Sequence, residues 1–203
     1  MVDLGSDDYV IRHINASIDV KRAILKDHAL LYRIVEAARL CVEALRRGNK
    51  VMIAGNGGSA ADAQHISAEL VGRYNYHRPG MPAIALTTDT SAITSISNDY
   101  GFECVFERQL QALAGSGDVF IGISTSGNSQ NIRLALKSAS AMELKTIGLT
   151  GGDGGSMREE CEICINVPSN RTPEIQESHI MIGHILCAMI EESMFPDEKP
   201  RSV

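Results

Sequence analysis

Val51-Met52-Ile53-Ala54-Gly55-Asn56-Gly57-Gly58-Ser59-Ala60-Ala61-Asp62-Ala63-Gln64-His65-Ile66-Ser67-Ala68-Glu69-Leu70 runs from a short apolar stretch through a glycine-rich turn into a helical pattern. Four apolar residues closed by glycines read as a buried strand, and the residues after the turn repeat at helical spacing. Strand, tight turn and helix in that order form the repeating unit of a parallel α/β sheet. Further runs at 83–86, 119–123, 146–149 and 163–167 read as strands. The intervening patterns predict helices over 59–71, 102–113 and 128–142, and Thr172-Pro173 opens a last helix with proline in its first turn. Residues 9–47 form a helical preface of one or two helices closed by Gly48, and 72–82 is the only stretch read as an extended loop. The expectation is a single domain over 1–203: helices at about 9–47, a sheet core at about 51–167, and a C-terminal helix at about 172–195. Helices then cover both faces of a parallel sheet, a three-layer α/β/α arrangement with an N-terminal helical extension.

Ligands of such sheets collect beyond the carboxyl ends of the strands. The turns there are polar: Asn56-Gly57-Gly58-Ser59, Thr87-Thr88-Asp89, Ser124-Thr125-Ser126-Gly127-Asn128-Ser129 and Thr150-Gly151-Gly152-Asp153-Gly154-Gly155. The third packs four hydroxyls around a glycine where a helix begins, which suits a phosphate held by hydroxyls and N–H groups without a lysine. The first turn also satisfies the dinucleotide pattern Gly55-x-Gly57-x-x-Ala60. An acid about 20 positions on should hold the ribose, and Asp89 lies too far along, so no NAD is expected.

His65 and Glu69 stand at i and i+4 and project from one helix face. Arg73, one further turn on, can pair with Glu69 at the surface or hold a substrate oxygen. His184 lies in an apolar helix beside Ile182, Ile185 and Leu186, with Gln176 eight residues earlier. His65, Glu69, Gln176 and His184 together resemble a metal and proton-transfer site built from two helices. Eight residues of helix rise about 12 Å, so Gln176 and His184 reach one metal only if the first turn is irregular or two subunits contribute.

The charge of -6 over 203 residues, without a basic cluster, argues against nucleic acid. Asp3, Asp7 and Asp8 precede any apolar stretch, unlike a signal peptide, and the run 180–190 is too short to span a bilayer. The expectations are a cytoplasmic protein and no membrane partner. Five cysteines form no disulfide framework. Cys161-x-x-Cys164 invites a redox or zinc reading, but the segment alternates like a strand, which would put the two on opposite faces as buried cysteines.

On these residues, with Ser97-Asn98-Asp99-Tyr100-Gly101 and Arg171-Thr172-Pro173-x-Ile175-Gln176-Glu177, the chain from about 9 to 196 resembles the bacterial sedoheptulose 7-phosphate isomerases (phosphoheptose isomerases) of the SIS domain superfamily. The resemblance implies a five-stranded parallel flavodoxin-like sheet and a homotetramer with active sites near subunit interfaces. It implies conversion of sedoheptulose 7-phosphate, a phosphorylated seven-carbon sugar, to D-glycero-D-manno-heptose 7-phosphate, the first step towards ADP- or GDP-heptose for lipopolysaccharide or surface glycans. It implies one zinc per subunit on His65, Glu69, Gln176 and His184. It also implies substrate contacts from Asn56, Gly57, Gly58, Glu69, Asn98, Asp99, Ser124, Thr125, Ser126, Ser129 and Gln176, beside which Ser59 and Arg73 complete the substrate-binding set. Moving a carbonyl between neighbouring carbons needs a base and an acid, and Glu69 and His184 are assigned those catalytic roles. The alternative is a non-catalytic SIS-domain adaptor that binds the replication initiator protein, which lacks part of that acid/base set.

Overall fold

The computed structural model describes residues 7–199; Asp3 lies outside them. The preface is two helices, α1 (Asp8–Lys26) and α2 (His28–Arg46), divided at Asp27. The Asp27 carboxylate accepts the Leu30 N–H at 2.9 Å and so caps α2. Five strands follow: β1 (Val51–Gly55), β2 (Ala83–Ala85), β3 (Val119–Ile123), β4 (Lys145–Gly151) and β5 (Ile163–Val167). Helices α3 (Gly58–Val71), α4 (Thr90–Tyr100), α5 (Val105–Leu113), α6 (Gln130–Ala141) and α7 (Thr172–Met194) connect and close the sheet.

All pairings are parallel, in the order β2-β1-β3-β4-β5. This is the flavodoxin-like order, and its connections reverse direction between β1 and β3. Every residue of β1 and β3 is buried, as strands covered on both faces require. One core lies between the sheet and α2, α3 and α7; the other lies beneath α5 and α6. At the opposite end, Asp118 ties the two central strands together. Its carboxylate accepts from the Lys50 N–H at 2.9 Å and ion-pairs with Lys50 Nζ at 2.6 Å. Burial is the largest influence on the Asp118 carboxyl and would raise its pKa, but the hydrogen bonds from Lys50, the Gly115 N–H and Asn49 together outweigh it and hold the group below its usual range.

The structure departs from the expectations at four places. Beyond the turn Thr87-Thr88-Asp89 the sequence reading places no helix before 102, yet α4 lies there; its Ser, Thr and Ile content hides the period and it buries no residue. Its start is fixed by Asp89, which accepts the Ala92 N–H at 2.9 Å. The helix expected over 102–113 is a 3-10 turn, Phe102–Cys104, followed by α5, and the one expected from 128 begins at Gln130. Cys161 precedes β5, so strand alternation does not apply to it. Both sulfurs lie over Gly148, where a Cβ would meet Cys161 Sγ at 2.9 Å and Cys164 Sγ at 3.8 Å. Among the described residues, no helix is long and apolar enough to cross a membrane.

Candidate active site

At the reversal point the turns after β1 and β3 face each other. Gly55 has no room for a side chain, since a Cβ would lie 2.4 Å from the Ser59 carbonyl, and Gly57 adopts φ +56°. These two positions let the chain fold sharply from β1 into α3. Asn56 and Asn131 exchange two amide hydrogen bonds of 2.9 Å, bridging the β1 turn to the start of α6. Asn56, Asn131 and Ser129 line a cavity of about 480 Å³ with Phe102, Glu103 and Gln130. Ser124 Oγ and Ser129 Oγ are 2.8 Å apart, so the hydroxyl of Ser129, the residue capping α6, is turned to Ser124 and does not cap the helix. Thr125 and Ser126 line a second cavity, about 160 Å³, with Gly151, Gly152 and Asp153.

These turns are fixed by backbone contacts. Gly127 (φ +64°) lies so close to the next loop that a Cβ would sit 2.0 Å from the Gly154 carbonyl. Asn128 Oδ1 accepts from the Ser156 N–H and hydroxyl, each at 3.1 Å. No lysine or arginine lines either cavity.

A second group forms where α3 packs against α7. The two helices run side by side in the same direction: Gln176 lies against Gly58, where a Cβ would meet its Nε2 at 2.5 Å, and Gly183 lies against Ile66. This pairing brings His184 to His65, with Nε2 to Nε2 at 2.9 Å, and His65 Nε2 to Glu69 Oε1 at 3.4 Å. The three ligand atoms lie within 4.8 Å of one another. Two imidazole nitrogens and a carboxylate oxygen form a donor set suited to zinc, for which tetrahedral bonds separate two nitrogens by about 3.3 Å. Small ring movements bring these groups to that spacing.

Gln176 stands at the other end of the α3–α7 contact. It faces Gly58, and the seven residues from Gly58 to His65 rise about 10 Å. α7 is continuous from Thr172, so no irregular first turn shortens that distance. Arg73 is exposed, and among the described residues the ion-pair partner of Glu69 is His65. Asn98 and Asp99 stand at the exposed end of α4, bonded to each other at 2.8 Å. Ser59 is buried in the first turn of α3.

Several supporting residues left little trace in the sequence. Tyr74 lies over His184 with ring centroids 5.6 Å apart, and burial raises its phenol pKa. Arg78 and Glu191, both fully buried, pair at 3.0 Å. Arg78 also donates to the carbonyls of Glu69 and Leu70 at 2.8 Å, while Glu191 accepts the Tyr74 N–H at 2.8 Å and the Asn75 N–H at 2.6 Å. This network closes the end of α3 and binds it to α7. Burial raises the Asp62 carboxyl, one turn before His65, and His65 partly opposes that. Buried His179 donates from Nε2 to the Thr150 carbonyl at 2.9 Å, and burial lowers its pKa to about 4. Of these, only His179 carries a signal in the sequence, a polar residue beside the apolar run 180–190.

The family described as SIS domain matches residues 14–151. The phosphoheptose isomerase of Aneurinibacillus thermoaerophilus is 56% identical over 189 residues, covering 93% of this chain and 96% of that protein. Phosphoheptose isomerase 2 of Campylobacter jejuni is 55% identical over 189 residues, covering 93% and 94%. The solved phosphoheptose isomerase of Neisseria gonorrhoeae superposes with a TM-score of 0.86 at 44% identity, covering 92% of this chain and 98% of that one.

Proposed function

The chain belongs to the SIS domain family, among its phosphoheptose isomerases, and from that premise we propose that it converts sedoheptulose 7-phosphate to D-glycero-D-manno-heptose 7-phosphate through an enediol. An enzyme of this family is a sugar-phosphate isomerase. The observation that carries the reading is the convergence of His65, Glu69 and His184 from two helices far apart in sequence.

Ketose-to-aldose conversion removes a proton from C1, returns one to C2, and moves a proton between the two oxygens. Glu69 is the base on carbon, and His184 exchanges protons with the oxygens. Zinc held by His65, Glu69 and His184, with Gln176 from a neighbouring copy as fourth ligand, would supply polarisation of those oxygens when bound. A carboxylate engaged by metal is a weaker base, so Glu69 is the residue on which the two roles compete. The phosphate lies among Ser124, Thr125, Ser126 and Ser129, with Asn56, Gly57, Gly58, Ser59, Asn98, Asp99, Arg73 and Gln176 around the sugar. Gln176 and the three-residue group stand about two helical turns apart in one chain, which favours a homotetramer whose active sites draw on adjacent subunits. We place the enzyme in the cytoplasm, at the first step of nucleotide-heptose synthesis for lipopolysaccharide or surface glycans. The adaptor reading has no observation behind it, and the relatives above carry the isomerase name.

The test is to incubate the purified protein with sedoheptulose 7-phosphate, follow aldose formation, and measure bound metal in the same sample. Turnover that scales with zinc content is expected. Absence of turnover both with and without added zinc would overturn the assignment.

A further inference from the structure

We propose that Cys161 and Cys164 form a reversible disulfide, which makes this pair a thiol–disulfide exchange site for a small-molecule disulfide. The geometry begins at Gly148, in the middle of β4. A glycine inside a buried strand gives up both packing and backbone entropy. Here its missing side chain leaves the space that the two sulfurs occupy, since both lie within 4 Å of where its Cβ would stand. Cys161 reaches that space from the bend before β5, and Cys164 reaches it from β5 itself.

The two thiols act directly on each other: their contact, ahead of burial, raises Cys161 and lowers Cys164. Cys164 is the more acidic of the two and supplies the attacking thiolate, while Cys161, half-buried beside it, resolves the mixed disulfide. Cys41 and Cys187, by contrast, are deeply buried, and burial pushes each up to about 12. A dithiolate metal site would need further ligands. Among the described residues, neither cysteine belongs to a group of three or more metal-ligating side chains.

In the first step the Cys164 thiol gives up its proton and the resulting thiolate attacks one sulfur of the small disulfide. A mixed disulfide forms, and the other half leaves as a thiolate that takes up a proton. In the second step the Cys161 thiol loses its proton, its sulfur attacks the Cys164 sulfur of the mixed disulfide, and the second small thiol is expelled. Two cysteine thiols are oxidised to one disulfide, one small disulfide is reduced to two thiols, and two protons pass from the protein to the products. Closing the bond draws Cys161 Sγ from the Met157 carbonyl, now at 3.1 Å, and Cys164 Sγ from Thr150 Oγ1, now at 3.6 Å. Thr150 is also the anchor of His179 and precedes Gly151 and Gly152 of the smaller cavity. The redox state of the pair is therefore felt at the carboxyl end of β4.

The test equilibrates the full chain with glutathione disulfide and reduced glutathione at graded ratios, alkylates the remaining thiols under native-quenched, denaturing conditions, and reads masses. Of five cysteines, two should become resistant to alkylation together, without a glutathione adduct, and be restored by reduction. Peptide mapping should place the bond at Cys161–Cys164. Cys161→Ser should instead retain one glutathione on Cys164. Five alkylatable thiols at every ratio, stable adducts on the wild type, or a bond mapped to other cysteines would each overturn the proposal. The wild-type measurement decides the matter even where the serine variant fails to fold.

Discussion

The turns at the carboxyl ends of β1, β3 and β4 and the group on α3 and α7 are built by opposite means. In the turns, glycines bring backbone against backbone, as Gly127 does against Gly154, and hydroxyls are held by short bonds to one another. On the helices, three titratable side chains meet at a partly exposed surface, and what fixes them is how two helices pack. The first region offers a rigid cradle without lysine or arginine along its cavities, suited to holding a group that does not change during reaction. The second offers groups that can gain and lose protons. Binding and chemistry are thus assigned to different structural devices, and disturbing one should leave a different kinetic signature from disturbing the other.

The sharpest way to break this division is Glu69→Gln. It should lower kcat by about 10²- to 10⁴-fold with KM little changed and thermal unfolding preserved; steady-state kinetics with metal analysis would show it, and near-normal kcat would remove Glu69 from the chemistry. Next, Glu191→Gln leaves Arg78 buried without its counter-ion and should destabilise the fold by about 3–5 kcal/mol in urea unfolding. Such a loss would show that the α3–α7 packing depends on a buried charge pair, and an unchanged midpoint would refute that. His179 gives a smaller, pH-dependent effect. Its folded pKa of about 4 lies below the unfolded value, so the unfolded chain binds the extra proton. Stability should be full above about pH 6.5 and decline by up to about 3 kcal/mol as pH falls towards 4. In His179→Gln that acid-side slope should flatten, and an unaltered slope would mean that other groups cause it. The mildest change, Ser124→Ala, should raise KM for the sugar phosphate about tenfold with kcat nearly constant, the loss of one hydrogen bond. A fall in kcat alone would blur the contrast between the regions.

The two regions also differed in how legible they were. Strand–turn–helix units follow from apolar runs and glycines, so β3 and β5 fall at the expected residues and the polar turns lie at the expected edge. His65 and Glu69 share a face because a helix has one period. His184 could be suspected because it interrupts an apolar stretch, but its meeting with His65 depends on tertiary packing, which no local pattern contains. The same limit explains Arg78 and Glu191, each unremarkable alone; α4 escaped for another reason, its Ser- and Thr-rich sequence having weak helix propensity and no buried face to set a period. Cys161 and Cys164 were misjudged for a boundary reason: alternation holds only within the strand, and the strand begins between them.

The Lys50–Asp118 clamp joins strands that are far apart in the chain, with Val51 registered against Val119. During translation, β1 therefore emerges well before its central partner exists. The side of β1 that will meet β3 remains an open row of N–H and C=O groups while α3, β2, α4 and α5 are being made. Until Asp118 leaves the ribosome and takes hold of Lys50, that edge is where a nascent chain is most exposed to pairing with a neighbour, and where a chaperone would have most to protect.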